Sequence, residues 1–191
     1  MGKLAQAKIS VAFFVILIVV VGLNWFNSEK SRSFTEPEMA ILDVDQDAVV
    51  IPAYTKSNVS LNFFIKDKDK FGATFVEHGI FGWKTHGNLL YNEIGDVRDY
   101  ETLEKYRVHD EYFVYGLIRA DEKPQILVNG NEADLINLET LDEPKLKDVK
   151  LENMYIWYFE SAMPIADGKL ELKDKKTGEI INTTKLDMKK K

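Results

Sequence analysis

The sequence predicts a mainly β protein, with one N-terminal transmembrane helix ahead of an antiparallel, β-sandwich-like domain that carries one or two short helices. Three observations lead there. Residues Ile9 to Phe26 form an uncharged, almost wholly apolar run. Beyond it come about nine or ten short segments rich in β-branched and aromatic residues, separated by Asp, Lys, Asn and Gly. Helical spacing is confined to two brief stretches, near residues 36–42 and 100–106.

The run ISVAFFVILIVVVGLNWF is 18 residues long, and about 20 mostly apolar residues cross a bilayer. Leu4, Ala5 and Ala7 extend it beneath Lys8, whose ammonium can snorkel to the surface. Trp25 and Phe26 fall at the far end, where an aromatic ring suits the headgroup level. A cleaved signal peptide is the competing reading: Val11 to Leu23 has the length of a signal core, and Lys3 and Lys8 form a positive n-region. Val20-Val21-Gly22 is a poor cleavage pattern and the chain turns bulky and charged after it, so an uncleaved anchor is expected.

The expected organisation is a cytoplasmic leader at 1–8, an anchor at 9–26, a tether at 27–35 and an extracytoplasmic β-rich domain at 36–191, with an internal junction near 96–110. Lys3 and Lys8 on one side of the span are matched by Lys30 and Arg32 on the other, so the orientation rests on the short leader, which is easily retained in the cytoplasm. The outer part holds 23 basic and all 31 acidic residues, a balance of −8, and no nucleic-acid partner is expected of it. The chain has no cysteine, which excludes a disulfide framework, a thiolate metal site and an N-terminal lipid-modified cysteine. That combination suits an exported protein of a single-membrane bacterium. An outer part of about 165 residues buries a core without such staples.

Along the outer part, Thr35 and Glu38 resemble a capping box and Pro37 fits a first helical turn, predicting a short helix through about Leu42. Strands are predicted at 48–51, 59–65 and 73–76, with the charged stretch Lys66 to Lys70 as a hairpin connection. The stretch 96–112 is charged and weakly patterned, and one short helix at 100–106 is expected there. Strands resume at 113–118, 125–128, 131–138, 154–159, 169–173 and 179–182. Asn129-Gly130 between two extended runs is a strong hairpin signal, because a type I′ turn needs positive φ at both central residues. Gly178 ends a further turn, Lys175 to Gly178.

No pattern assigns chemistry. Asp43-Val44-Asp45-Gln46-Asp47 begins like a calcium loop, but Ala48 stands where glycine is needed and Tyr54 where a bidentate glutamate is needed. There is no G-x-S-x-G and no S-x-x-K, and no cysteine for a Cys-His pair. Nothing singles out two carboxylates for glycoside hydrolysis. The three histidines are His78, His86 and His109. His78 and His86 would lie roughly 26 Å apart on one strand, out of reach of a shared metal. A reversal at Gly82 would instead make them cross-strand partners with Cβ atoms about 5 Å apart. Tyr155-Ile156-Trp157-Tyr158-Phe159 is apolar on both faces and reads as a central strand; an aromatic face exposed for a peptide or polysaccharide is the alternative. Lys185 to Lys191 reads as a frayed tail, with anionic lipid or wall polymer as the alternative contact. Asn58-Val59-Ser60 and Asn182-Thr183-Thr184 match the glycan acceptor pattern, which carries little meaning in a bacterium.

Several segments together resemble a loosely defined group of uncharacterised, membrane-anchored extracytoplasmic proteins of Bacillus-type bacteria: Ala73 to Lys84 (ATFVEHGIFGWK), Tyr115 to Ile118, Ile126 to Ala133, Ile156 to Tyr158 and Asp174 to Gly178. The resemblance implies an N-terminal anchor and a small β-rich outer domain, and supplies no activity or site residues. It also implies that FGWK begins a strand and that the turn falls at Glu77-His78-Gly79, with Gly79 taking positive φ. His78 would then sit in the turn, with Phe81 and Trp83 on the core face and His86 well along the strand.

The expected function is therefore a single-pass, membrane-anchored extracytoplasmic binding or structural module of the cell envelope, without catalysis, cofactor or metal. Its partners would be the membrane, through the helix, and an envelope protein or wall polymer. Two alternatives stand beside it. An envelope hydrolase would show a concave cleft with two convergent carboxylates, and a metal-binding sensory module would use the histidines. A binding module would show an exposed apolar patch or an open sheet edge.

Overall fold

A computed structural model describes residues 2–67, 69–85, 87–141 and 152–190. The chain is mainly β, as the sequence predicts, and the paired strands run antiparallel. It divides into two compact units, Met1–Phe63 with Thr74–Leu90 and Phe64–Ala73 with Tyr91–Lys191.

The first unit begins with α1 (Gly2–Ser31), whose segment Phe13–Ser31 is long and apolar enough to cross a membrane. Its 19 residues extend about 28 Å at the helical rise, with Glu29 and Lys30 in the last turn, where charge meets the membrane surface. The segment is apolar around its whole circumference from Phe13 to Leu23, and its side chains stand exposed, as a helix that faces lipid requires. The expected tether is corrected here: residues 27–31 continue the helix. Ser31 Oγ donates to the Ser28 carbonyl (3.0 Å) and Ser33 Oγ to that of Glu29 (2.8 Å), which satisfies last-turn acceptors.

α2 (Pro37–Val44) opens on proline, whose missing N–H costs nothing at that position. The predicted capping box does not form. With Pro37 as the first helical residue the cap falls on Glu36, one position after Thr35, and Thr35 Oγ1 turns to Met39 Sδ instead (3.7 Å). Ala40 and Ile41 are buried, and the helix packs on the first and last strands of the following sheet, β1 (Val49–Lys56) and β4 (Gly82–Thr85), which flank β2 (Val59–Lys66) and β3 (Lys70–Gly79) in the order β1-β2-β3-β4. Ser57 makes the β1–β2 turn at φ 51°. β2 is buried on both faces, as its place inside the sheet demands.

In the second unit, β5 (Asn92–Glu93) pairs with β3 at Lys70 and Phe71. The helix expected at 100–106 is replaced by two 3-10 turns, Val97–Tyr100 and Leu103–Lys105. Asp96 caps the first by accepting the Arg98 N–H (3.0 Å), and its side chain also grips the Arg98 guanidinium (2.8 Å), which holds the Asp96 carboxyl down at about 2. Tyr106 then opens a strand, β6 (Tyr106–Asp110), where the sequence predicts none.

The remaining strands are β7 (Phe113–Arg119), β8 (Gln125–Val128), β9 (Asn131–Glu132), β10 (Asp134–Asn137), β11 (Met154–Glu160), β12 (Gly168–Lys173) and β13 (Ile180–Leu186). They form two sheets, β10-β11-β7-β6 and β13-β12-β8-β9. Inward residues of both meet in one core: Val114, Ile118, Tyr155 and Trp157 from the first, Ile126, Val128, Leu170, Leu172 and Leu186 from the second. The segment predicted as one strand at 131–138 changes sheets at Ala133, whose N–H reaches the Ile126 carbonyl (2.9 Å). Asn129 and Gly130 take φ of 51° and 85°, the conformation their hairpin signal requires.

Candidate functional site

The EHGIFGWKTH stretch forms a β3–β4 hairpin, but the reversal lies at Ile80-Phe81, later than the expected Glu77-His78-Gly79. Gly82 rather than Gly79 takes positive φ, 137°. The cause is remote in sequence: Phe34 exchanges two backbone hydrogen bonds with Trp83, both 2.8 Å, and a Cβ on residue 82 would overlap the Phe34 carbonyl oxygen. The register sets His78 opposite Trp83, with the rings edge to face at 5.0 Å. His86 lies outside the described residues. His109 stands exposed on β6 in the other unit. Among the described residues no three His, Cys, Asp or Glu side chains group to hold a metal. Asp43 to Asp47 forms the end of α2 and a turn, with Asp45 Oδ1 accepting the Asp47 N–H (3.2 Å).

The aromatic strand is central, as expected. β11 lies between β10 and β7, and Met154 to Tyr158 are all buried. Burial pushes the hydroxyls of Tyr115 and Tyr158 up to about 12. For Tyr115 the charge of Arg107 and hydrogen bonds from the Ala73 backbone and the Asn92 side chain pull weakly the other way.

The carboxyl tail corrects a further expectation, because it is tied down as far as Lys190. The Tyr106 hydroxyl accepts the Asp187 N–H (2.7 Å), Asp167 Oδ1 accepts that of Met188 (2.8 Å), and Lys190 Nζ donates to the Glu104 carbonyl (2.6 Å). The Lys190 ammonium also lies 4.3 Å from the Tyr106 ring centroid. Burial lowers its pKa, helped by the nearby Arg107.

At one end of the sandwich, the end of β7, the loop after it and the β12–β13 connection enclose an open cleft of about 350 Å³. Four of its residues are carboxylates, Glu101, the adjacent Asp121 and Glu122, and Asp174, and they come together only through the fold because they lie on three separate segments. Glu101 faces Arg119 (3.6 Å), Glu122 pairs with Lys176 (2.6 Å), and Asp121 accepts from Asn153 (3.1 Å). Asp174 accepts the backbone N–H groups of Lys176 (2.7 Å) and Thr177 (3.0 Å), which lower its pKa. Ile181 adds an apolar face to this polar rim, and it and Ile180 are 62% and 54% exposed. Both belong to β13, the outermost strand of its sheet.

Comparison with known proteins found no matching family model, no matching curated protein and no matching solved structure.

Proposed function

We propose that the protein is a single-pass membrane-anchored binding module of a bacterial cell envelope, without catalysis, whose outer domain receives an extended segment of another envelope protein along β13. The observation that carries this reading is the β13 edge itself. At its start, where Ile180 and Ile181 stand exposed beside a bulge, this terminal strand offers main-chain hydrogen bonds and an apolar grip to an added strand, while farther along the Lys185 carbonyl already accepts from Tyr106. The adjoining cleft supplies charges of both signs, which suits a polar peptide and fixes its register.

The hydrolase alternative draws less support from the same cleft. A general acid needs a carboxyl held above its ordinary range. Asp174 moves downward, and Glu101, Asp121 and Glu122 each already face a cation or an amide donor.

The test is site-specific photocrosslinking of the full-length protein in intact cells, with the crosslinking residue at Ile181 and, as control, at the exposed Glu132 of β9. Discrete protein adducts from position 181 alone support the reading. Adducts that collapse on digestion of wall glycan replace the protein partner with a polymer. No adduct, or equal adducts from both positions, contradicts it.

A further inference from the structure

We propose that the tip of the β3–β4 hairpin, Ile80-Phe81, is a second membrane contact, inserted into the bilayer interface beside the C-terminal end of α1; this rests on the reading of α1 as a membrane span. All the residues concerned belong to the first compact unit.

The hairpin runs along the helix end in ordered steps. Phe81 meets Phe26 edge to face, ring centroids 4.9 Å apart. One turn farther along α1, Lys84 pairs with Glu29, and beyond the helix Trp83 and Phe34 exchange backbone hydrogen bonds. Phe26 is the last apolar residue before the polar Asn27 and Ser28 and the charged Glu29, so the lipid boundary lies between Phe26 and Glu29. The ring of Phe81 is thereby held at the depth of the final apolar turn of the span.

Ile80, next to it, is 81% exposed, the most exposed of the large apolar side chains outside α1 that the structure describes. The tip Gly79 to Gly82 carries no charge, and the first charged rung behind it is Glu77 opposite Lys84. The backbone of that rung lies about 10 Å from the tip, but the Lys84 ammonium, paired with Glu29, reaches forward beside Gly79, so the uncharged tip is confined to Ile80 and Phe81 and its insertion is shallow, within the interface. Trp25, half-exposed on the same helical turn as Phe26, belongs to the same aromatic belt. Continuity with the span is what identifies the occupant as lipid: a surface fixed against Phe26 cannot leave the interface while α1 remains in the membrane.

A second contact limits how the first unit can tilt relative to the membrane plane. With the hairpin in the interface, α1 and the first unit move as one body relative to the membrane plane, and Gly82 is required because any side chain there would drive Phe34 off the hairpin.

The test uses single cysteines in the full-length chain, which has none of its own. Ile80→Cys, Val19→Cys and Glu132→Cys are labelled with an environment-sensitive fluorophore and reconstituted into anionic phospholipid vesicles. The expected result is a blue-shifted Ile80→Cys emission, quenched several-fold more by lipids nitroxide-labelled near the headgroup than by aqueous iodide, with Glu132→Cys the reverse. If Val19→Cys is shielded and Ile80→Cys behaves like Glu132→Cys, the hairpin proposal fails and the span stands. If Val19→Cys is itself open to iodide, the span reading fails and the hairpin proposal with it. An Ile80→Cys label shielded from iodide yet untouched by nitroxide lipid would place a second copy of the chain over the tip, which also overturns the proposal.

Discussion

Gly116 lies directly opposite Trp157 in the β7–β11 pair, and a Cβ on residue 116 would stand 2.8 Å from the indole Nε1. The glycine is the space that the largest core side chain occupies. Trp157 Nε1 is also buried with no hydrogen-bond partner among the described residues, a cost accepted for the volume the ring fills. Gly116→Ala should therefore destabilise by about 1–3 kcal/mol through overpacking, read as a lower thermal midpoint of the full-length protein in detergent. Trp157→Phe removes the unpaired donor along with some volume, so it should cost distinctly less than Trp157→Ala, which opens a cavity worth about 3–5 kcal/mol. Both variants lose the indole N–H, so the difference between them reads the volume of the ring, and equal losses would show that a phenyl ring does not fill the space.

A second small-residue requirement joins the Asn129-Gly130 turn to β12. Asn129 Oδ1 accepts the Lys169 N–H (2.9 Å) and its Nδ2 donates to the Ala166 carbonyl (2.9 Å), while a Cβ on Gly168 would overlap that Oδ1. Gly130→Ala forces a side chain into left-handed backbone at a cost of about 1–2 kcal/mol. Gly168→Ala should displace the Asn129 amide and cost at least as much. In a double substitution, Gly168→Ala should add little to Asn129→Ala, since the group it displaces is already gone; full additivity in thermal unfolding would contradict the contact.

Alkaline pH gives a third expectation. Tyr115 and Tyr158 are raised to about 12 from an ordinary 10.0, chiefly by burial. The unfolded chain releases these protons first as pH rises, so the native state binds more protons than the unfolded one between the two values. Their contribution to stability is whole below pH 10.0 and is lost as pH climbs toward 12. In a tyrosinate absorbance titration these two hydroxyls should ionise above the ordinary phenol range, toward 12. Tyr115→Phe with Tyr158→Phe should flatten the fall in thermal midpoint across that window.

The docked tail depends on one hydroxyl. Tyr106→Phe removes the acceptor of the Asp187 N–H and the donor to the Lys185 and Asp187 carbonyls (3.3 Å each). The expected loss is about 1 kcal/mol locally, and hydrogen exchange at the Asp187 and Met188 amides should accelerate. Unchanged exchange would mean that Lys190 and Asp167 hold the tail without Tyr106.

Most of the strands are legible in the sequence because β-branched and aromatic residues cluster between Asn, Asp and Gly turns, and Asn129-Gly130 even declares its turn type. β6 hides because Arg107, His109 and Asp110 surround it with charge, although Tyr106 and Val108 do alternate with them toward β7. The switch of sheets at Ala133 has no local sign, since residues 131–138 are uniformly extended and only pairing with β8 and β11 divides them. The hairpin turn depends on Phe34, far away in the chain, and glycines at both 79 and 82 leave its position open. The cleft is invisible for the same reason: Arg119, Glu101, Asp174 and Ile181 meet only when the strand ends converge.

The proposed function requires a membrane anchor at the N-terminus and a β domain outside the cell. Labelling intact cells with a membrane-impermeant maleimide tests it directly, using Glu132→Cys for the outer domain and Gln6→Cys for the leader. Glu132→Cys should react in intact cells, Gln6→Cys only after lysis, and both should remain in full-length protein in the membrane fraction. Reaction of Gln6→Cys in intact cells, or recovery of a shortened Glu132→Cys protein free of the membrane, would contradict it.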